Sequence, residues 1–392
     1  MRTFLFAAAL LLARPLSAET GWLDRAHAPL LARVQARAAQ RVVQTNLRRV
    51  ASVQVLERPV VLRAAIPGAA PVVAGRIVVD GAATLRVRVE GGGAVWVAGD
   101  EDESFERFEA SSDAMWAPTT RGDTVFVAVE GGEAIVSAVA AGEPVTTAAT
   151  SCVTNAACID ADALPELAEA SRAIAMIRFV RDGASYVCSG ALINDAAHSG
   201  APLFLTAHHC ISTQEEAASI EAVWDYRSPS CGIEPSSRTT TRTYGAKLLA
   251  SSAATDVALL RLDRIPPNRV FLDVETKPVA EGTRTWHLSH ADGGPLSYSE
   301  GIVQDAQSGC PSSPQPQFLQ SSLIAGAISS GSSGAPLLLP NLRIAGQLLG
   351  RCGPSANDPC AVYNYAIDGS IHASWPLLAP YLDPPRRRSV RH

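Results

Sequence analysis

The chain has 392 residues, of which 47% are hydrophobic and 18% are charged, and its formal net charge is −5. This length and apolar fraction allow a sizeable core, favour two domains or one large one, and argue against global disorder. The small net charge gives no electrostatic reason to expect nucleic acid or a membrane surface as a partner.

The N-terminus has the pattern of a secretion signal. Arg2 supplies a positive charge, residues 4–12 are apolar, and the residues before Glu19 offer a small-residue cleavage site. The apolar run is too short to span a membrane. We therefore expect residues 1–18 to be a signal peptide and the protein to be secreted, either extracellular or periplasmic. A buried N-terminal helix is the alternative interpretation.

The segment after the leader has helical periodicity. Between about residues 23 and 50, apolar positions such as Leu30, Val34, Leu47 and Val50 recur among arginines and glutamines. This spacing predicts an amphipathic helix.

From about residue 58 to 145 the pattern changes to short strands. Apolar positions alternate along three runs, which are residues 84–90, 94–98 and 123–129. In the first run Leu85, Val87 and Val89 share one face, and glycines between the runs supply turns, so we predict a small antiparallel sandwich. Because this part has no cysteine, we interpret residues 19–148 as a β-rich propeptide domain. A permanently attached N-terminal accessory domain is the alternative.

All eight cysteines lie beyond an Ala-, Gly- and Thr-rich stretch at 140–150. An even number of cysteines in an exported chain predicts a disulfide-bonded domain, here residues 149–392. A zinc site competes with this interpretation, but no pair has CxxC-type spacing, so we expect no metal and no cofactor. Short apolar runs without regular helix–strand alternation predict antiparallel β structure rather than a parallel sheet.

The segment with the most chemical information places two histidines before a cysteine. His208 and His209 precede Cys210 at the end of an apolar run, and Cys188 lies in another strand-like run upstream. Cysteines placed to bridge two strands would hold an imidazole rigidly, which is what a general base needs.

A histidine base needs a nucleophile and an orienting acid. Asp256 precedes an apolar strand, a position that can bury a carboxylate against an imidazole but that is also common for turn residues. Ser333 lies in a run of serines and glycines at 330–336, where a sharp turn can expose a hydroxyl and aim N–H groups at one point. A plain Ser/Gly linker is the alternative.

Taken in order, these residues resemble the chymotrypsin-fold serine peptidases. The motifs TAHHC, TDVALL and GSSGAP are similar to the TAAHC, DIALL and GDSGGP patterns of that group, over roughly residues 150 to 383. The doubled histidine, the serine loop and the Gly-Gln-Leu strand that begins at Gly346 resemble the bacterial lysyl endopeptidases, a trypsin-like group.

The resemblance implies an all-β fold: a chymotrypsin-like double antiparallel β-barrel, preceded by a β-sandwich-like pro-domain. It makes His209 the base, Asp256 its orienting acid and Ser333 the nucleophile. The N–H groups of Gly331 and Ser333 would form the oxyanion hole, and His208 would have no direct role in proton transfer.

The same resemblance implies the disulfide pairing. The expected bridges are Cys188–Cys210, Cys158–Cys231, Cys152–Cys352 and Cys310–Cys360. A local Cys352–Cys360 bridge is the alternative, and it would leave Cys152 to pair with Cys310.

The sequence indicates the substrate specificity less clearly than the catalytic residues. The candidate pocket residues are Ala327, Leu349, Gly350, Arg351 and Asp358. Ala327 stands six positions before Ser333, so no trypsin-like aspartate is present there, and Leu349 stands where lysine-specific relatives have a histidine. Asp358 is the nearest acid after the Gly-Gln-Leu strand, whereas Arg351 would favour an acidic side chain. We expect a basic residue at P1, the position before the scissile bond.

Together these observations predict a secreted serine endopeptidase, made as a zymogen, that hydrolyses protein or peptide substrates through an acyl-enzyme. Its own propeptide is the expected partner, as an intramolecular chaperone or inhibitor. The alternatives are a glutamate-preferring or broad-specificity peptidase, or an inactive homologue that acts as a binding protein. No Lys or Arg lies between Arg121 and Arg172, so self-cleavage after a basic residue near the linker is not available.

Overall fold

The computed structural model describes eleven ranges, which are residues 30–34, 47–64, 73–91, 93–110, 113–143, 150–159, 164–235, 240–304, 316–353, 356–361 and 364–384. Of residues 30–34 only the backbone is described. The predicted signal peptide and Cys310 lie outside these ranges. No helix in the described ranges has the length and apolar character to cross a membrane.

The described residues up to 143 form ten strands. They are β1 (Leu30–Val34), β2 (Arg48–Arg63), β3 (Val73–Val79), β4 (Thr84–Glu90), β5 (Gly93–Gly99), β6 (Glu106–Ala110), β7 (Met115–Trp116), β8 (Thr120–Arg121), β9 (Thr124–Glu130) and β10 (Glu133–Gly142). One sheet has the order β1-β3-β9-β5-β6, and β2, β10, β4 and β7 lie in another. Apolar side chains from both sheets, such as Ile77 and Val127 with Leu85 and Val87, pack into one core. This is the sandwich that the alternating pattern predicts.

The predicted amphipathic helix is wrong wherever this segment is described. Residues 30–34 form β1, which pairs in parallel with β3, and the chain from Arg48 onward forms β2. Val50, Val53 and Val55 of β2 are β-branched, and such side chains favour a strand because they fit a pleated surface. The pairing partners of β2 lie far away in the sequence, so helical periodicity over a short window did not reveal them.

The described residues after 150 form fourteen strands and three α-helices. The strands are β11 (Thr154–Asn155), β12 (Ile174–Arg181), β13 (Ala184–Leu192), β14 (Leu203–Ala207), β15 (Glu221–Trp224), β16 (Thr241–Tyr244), β17 (Ala246–Ser252), β18 (Val257–Leu262), β19 (Arg284–Ser289), β20 (Ser297–Val303), β21 (Phe318–Gly326), β22 (Pro336–Leu338), β23 (Ile344–Cys352) and β24 (Tyr365–Ser370). The helices are α1 (Pro165–Ala170), α2 (Gln214–Ala218) and α3 (Ile371–Leu382).

These strands build the two barrels of a chymotrypsin-like fold. The second is closed: the order β20-β19-β22-β23-β24-β21 returns to its start because β20 also pairs with β21. The first is a half-barrel in which β12 pairs with β13 and β15, β14 pairs with β13 and β18, and β17 pairs with β18. All the strand pairings within the barrels are antiparallel. The predicted fold class is therefore confirmed.

The sandwich and the first barrel share a sheet. Strand β2 pairs antiparallel with β13, so that Ser52 lies opposite Ala184 and Arg48 lies opposite Val187. On its other edge β2 pairs with β10 of the sandwich. The backbone hydrogen bonds thus run without a break from one part of the chain to the other. The predicted boundary at 148/149 falls outside the described residues and stays a prediction.

A buried ion cluster joins the two parts beside this shared sheet. Glu221 on β15 is fully buried and lies 3.2 Å from Arg178 and 3.3 Å from Arg242. From the sandwich side, Thr119 donates its N–H (3.0 Å) and its hydroxyl (2.6 Å) to the same carboxylate. Although burial alone would raise the pKa of Glu221, Arg178, Arg86 and Arg242 together lower it well below its usual range.

The structure contains three bridges between described cysteines, and one of them differs from the expected pairing. Cys158–Cys231 and Cys188–Cys210 are present, but Cys152 is bonded to Cys360. The expected Cys152–Cys352 and Cys310–Cys360 pairs, and the alternative Cys352–Cys360 pair, are therefore wrong. A disulfide needs Cα atoms about 4.4–6.8 Å apart, and the turn after β23 brings the Cα atom of Cys360 to 5.5 Å from that of Cys152. Cys352 is also disulfide-bonded.

Candidate active site

His209 follows β14 at a point where the backbone is held from several sides. The Cys188–Cys210 disulfide ties the next residue to β13. Arg181 donates hydrogen bonds of 2.7 Å to the carbonyl oxygens of both His209 and Cys210. An ion pair with Glu216 holds Arg181 in turn. The imidazole is therefore carried by a segment that has little freedom to move.

Asp256 faces this imidazole from the turn before β18. Its Oδ2 lies 2.8 Å from His209 Nδ1, and its Oδ1 accepts a 2.8 Å hydrogen bond from the His209 backbone N–H. The carboxylate is 4% exposed, and the backbone of Asp256 has a φ of 51°. A carboxylate on Nδ1 favours the tautomer with its proton there, which leaves Nε2 as a proton acceptor. His208 has a different partner, because its Nδ1 lies 2.7 Å from Ser251 Oγ.

Ser333 lies in a tight loop whose carbonyl groups accept hydrogen bonds from residues outside the loop. Asp292 N–H donates to the Ser330 carbonyl (2.6 Å), the Ser189 hydroxyl donates to the Gly331 carbonyl (2.9 Å), and Ser189 N–H donates to the Ser333 carbonyl (2.7 Å). Within the described residues, the N–H groups of Gly331 and Ser333 donate no hydrogen bond. With the carbonyls held on one side, these two N–H groups are available to a ligand.

Two glycines make this loop possible. Gly331 has a φ of 93°, and a Cβ there would lie 2.7 Å from the His290 carbonyl oxygen. A Cβ at Gly334 would lie 2.2 Å from Thr206 Oγ1 and 3.0 Å from Ala207 N. The chain next to Ser333 therefore packs directly against the end of β14, two residues before His209.

Asp292 connects the serine loop with the segment that follows the linker. Its carboxylate accepts hydrogen bonds from the Thr150 hydroxyl (2.7 Å) and the Ser329 hydroxyl (2.6 Å). The same residue orients the Ser330 carbonyl through its own N–H. No local motif in the sequence marks Asp292.

The structure brings His209 and Asp256 into direct contact but does not join His209 to Ser333 by a hydrogen bond. Among the described residues, the contact of His209 Nε2 is with Cys210 Sγ at 3.8 Å, and Ser333 Oγ has no hydrogen-bond partner. Catalytic hydrogen bonds are often long in the absence of substrate and tighten when it binds.

The Ser189 hydroxyl binds the serine loop, and no local motif in the sequence indicates this. The hydroxyl accepts a hydrogen bond from His290 N–H (2.9 Å) and donates one to the Gly331 carbonyl. It therefore holds the peptide group that follows Gly331, whose N–H is one of the two predicted oxyanion donors. We expect Ser189→Ala to lower kcat by about tenfold with little change in KM, since loss of a full donor costs about 10²–10³. Steady-state kinetics with a peptide substrate provide the measurement.

Ser185→Ala is the matched control for this prediction. Ser185 lies on the same strand and is also buried, and its hydroxyl bonds to the Phe179 carbonyl, away from the serine loop. Both variants lose a buried hydroxyl, so a similar loss of kcat in both would show that Ser189 acts only through stability.

A narrow cavity opens beside Ser333. Its lining residues are Ile328, Ser329, Ser330, Ser333, Leu348, Gly350 and Arg351. Of the five predicted pocket residues, Gly350 and Arg351 line this cavity. Ala327 is buried next to it, Leu349 packs near Phe318 and Ile367, and Asp358 accepts a hydrogen bond from Cys360 N–H.

Comparison with known proteins decides the family. A family model described as lysyl endopeptidase, C-terminal domain, matches residues 146–364, which is more than half of the chain. The chain belongs to the lysyl endopeptidase family. This membership confirms the resemblance seen in the sequence.

A curated member of the lysyl endopeptidase family gives a partial match. The chain is 33% identical to the lysyl endopeptidase of Pseudomonas aeruginosa over 162 residues, which is 40% of this chain and 35% of that protein. The match thus spans about a third of the relative's length.

Solved structures outside the lysyl endopeptidase family are more distant. The active form of the Rv3671c protease from M. tuberculosis is 17% identical, with a TM-score of 0.40, and the match covers 59% of this chain and 91% of that one. A serine endoprotease from Yersinia pestis is 15% identical, with a TM-score of 0.39, and the match covers 54% of this chain and 63% of that one.

A second histidine–aspartate pair lies in the closed barrel of this lysyl endopeptidase family member. His287 Nε2 is 2.8 Å from Asp368 Oδ1, and Ser299 Oγ is 3.5 Å from His287 Nδ1. Both members of the pair are at most 1% exposed, and Ser299 is 2% exposed. No substrate can reach these groups, so this pair is part of the barrel core.

One group of described residues has the spacing of metal ligands. Donor atoms of Cys188, His209 and Cys210 lie within 4.8 Å of one another. The two sulfurs are bonded to each other, however, and a metal site needs thiolates. This group therefore does not fit a metal.

Proposed function

We propose that the protein is a serine endopeptidase that uses Ser333 as nucleophile, His209 as general base and Asp256 as the acid that orients the base. The observation that carries the proposal is the buried Asp256 carboxylate on His209 Nδ1, beside a serine loop with two N–H groups that donate no hydrogen bond within the described residues. Base, orienting acid and oxyanion donors are what acyl transfer needs.

The reaction follows from these positions. His209 Nε2 takes the proton of Ser333 as the serine oxygen attacks the scissile carbonyl carbon, and Asp256 stabilises the imidazolium that forms. The N–H groups of Gly331 and Ser333 bind the oxyanion of the tetrahedral intermediate. His209 then protonates the leaving amine, and water resolves the acyl-enzyme by the same steps.

The proposal extends to the location of the protein and to its N-terminal part. The leader-like N-terminus and the disulfides support secretion to the extracellular space or the periplasm. The shared sheet and the Glu221 cluster support a role of the sandwich as an intramolecular chaperone or inhibitor of a zymogen. The expected preference for Lys or Arg stays a prediction, and Arg351 in the cavity argues against it.

A fluorophosphonate probe tests the catalytic proposal. We expect the probe to label purified protein at one residue, Ser333, identified by tandem mass spectrometry among the three serines of residues 330–336. Labelling should disappear in Ser333→Ala and in His209→Ala. His208→Ala is the matched control, because His208 bonds to Ser251 instead of a carboxylate. Absence of labelling in the processed wild type would favour an inactive homologue that acts as a binding protein.

A further inference from the structure

Arg351 is the one charged side chain among the described residues that line the cavity beside Ser333. It lies near the end of β23, opposite Ala366 on β24. The rest of the lining is Ile328, Ser329, Ser330, Ser333, Leu348 and Gly350. The cavity has a volume of about 10 Å³, so a substrate side chain would have to widen it to come next to this charge.

The guanidinium has no anionic partner in the described part of the chain. Nε donates to the Ala356 carbonyl (3.1 Å) and Nη1 donates to the Ile328 carbonyl, while Nη2 donates to no described group. The carboxylates whose fields reach Arg351 are Asp292 and Asp358. Asp292 accepts hydrogen bonds from Thr150 and Ser329, and Asp358 accepts one from Cys360, so both are engaged elsewhere.

Two other partly buried arginines have carboxylate partners, whereas Arg172 is bound, within the described ranges, by the Asn268 carbonyl alone. Arg242 pairs with Glu106 and Glu221, and Arg269 lies 2.8 Å from Asp225. Arg351 is half-buried and, among the described residues, bound by neutral carbonyl oxygens alone, and burial lowers the pKa of its guanidinium. A guanidinium without an anionic partner beside the proposed nucleophile is therefore a group that an anionic ligand could pair with.

We propose that Arg351 binds the carboxylate of an acidic P1 side chain, so that the enzyme cleaves after glutamate or aspartate. This inference rests on the proposed function. Guanidinium and carboxylate form short, charge-assisted hydrogen bonds, and Nη2 is available for one. The hydroxyl of Ser330, which also lines the cavity and has no partner among the described residues, supplies a second donor. The same charge repels a lysine or arginine side chain, so Arg351 alone would both favour acidic P1 residues and disfavour basic ones.

Peptides that differ only at P1 test this inference. With the full chain, we expect kcat/KM for Glu to exceed that for isosteric Gln by about 10- to 100-fold, which corresponds to a hydrogen bond to a charged group. Arg351→Gln should reduce this ratio to a few-fold. Arg351→Lys should keep part of the preference, and Arg351→Glu should make Lys the better P1 residue. The wild-type ratio should also fall as salt is raised.

Arg343→Gln is the matched control. Arg343 precedes the same strand but pairs with Asp273 and Glu275, and it does not line the cavity. It should leave the Glu/Gln ratio unchanged. Probe labelling at Ser333 together with a preference for Lys, Arg or Gln would overturn the inference and leave the proposed function standing. An unchanged ratio in Arg351→Gln would do the same, whereas no labelling and no cleavage would overturn both.

Discussion

Asp256→Asn should lower kcat by about 10⁴-fold with little change in KM. The two hydrogen bonds at Asp256 explain why. Oδ1 accepts from the His209 backbone N–H, so an asparagine keeps its oxygen there and turns its NH₂ group towards Nδ1. Nδ1 must then accept and Nε2 carries the proton, which is the wrong tautomer for a general base. Steady-state kinetics with a peptide substrate measure both constants.

Asp263→Asn is the control for this variant. Asp263 is exposed and follows the other end of β18, away from His209. It should retain the wild-type kcat. A loss below about tenfold in Asp256→Asn, or a rise in KM alone, would show that Asp256 does not orient the base, because a group acting mainly on the transition state changes kcat.

Glu221→Gln should reduce the free energy of unfolding by about 3–5 kcal/mol, the usual effect of removing one partner from a buried ion pair. The glutamate is fully buried, so solvent does not screen the loss. The substitution leaves Arg178, Arg242 and the buried Arg86 without their shared counter-charge. It also weakens the bond with Thr119 that ties the sandwich to the barrel. Urea unfolding at neutral pH measures the change.

The pH dependence of this difference gives a second readout. The folded-state pKa of Glu221 is depressed, whereas an unfolded glutamate titrates near pH 4.3, roughly. The stabilisation is therefore complete above that value and is lost as the pH falls towards the folded-state pKa. The free energies of unfolding of wild type and Glu221→Gln should therefore converge in acid.

The control is Glu109→Gln, which removes an exposed pair with Arg107 and should lower the free energy of unfolding by about 1 kcal/mol or less. A similar small effect at Glu221 would contradict the prediction.

The sequence predicted the features that depend on local patterns. Leu85, Val87 and Val89 alternate and are buried, because a strand with one covered face needs period two. The histidine and serine segments also carry their signals within a few residues. His209 and Asp256 lie 47 positions apart, yet the motif around each was sufficient to suggest the pair.

Features that arise from distant contacts were not predictable in this way. Ser189 and Gly331 are 142 positions apart, and nothing near Ser189 indicates that its hydroxyl holds the serine loop. The Cys152–Cys360 bridge depends on the position that the turn after β23 gives to Cys360 in the fold. The predicted helix at about 23–50 includes the first three residues of β2, whose partners β10 and β13 come much later in the chain.

The pairing of β2 with β13 has a consequence for maturation. If the sandwich is cleaved off and leaves, the edge of β13 from Ala184 to Val187 loses its neighbour and presents bare N–H and C=O groups. Exposed strand edges recruit other strands and promote aggregation. A mature barrel would have to cap that edge. Until it did, the enzyme would be most prone to self-association just after the sandwich is released.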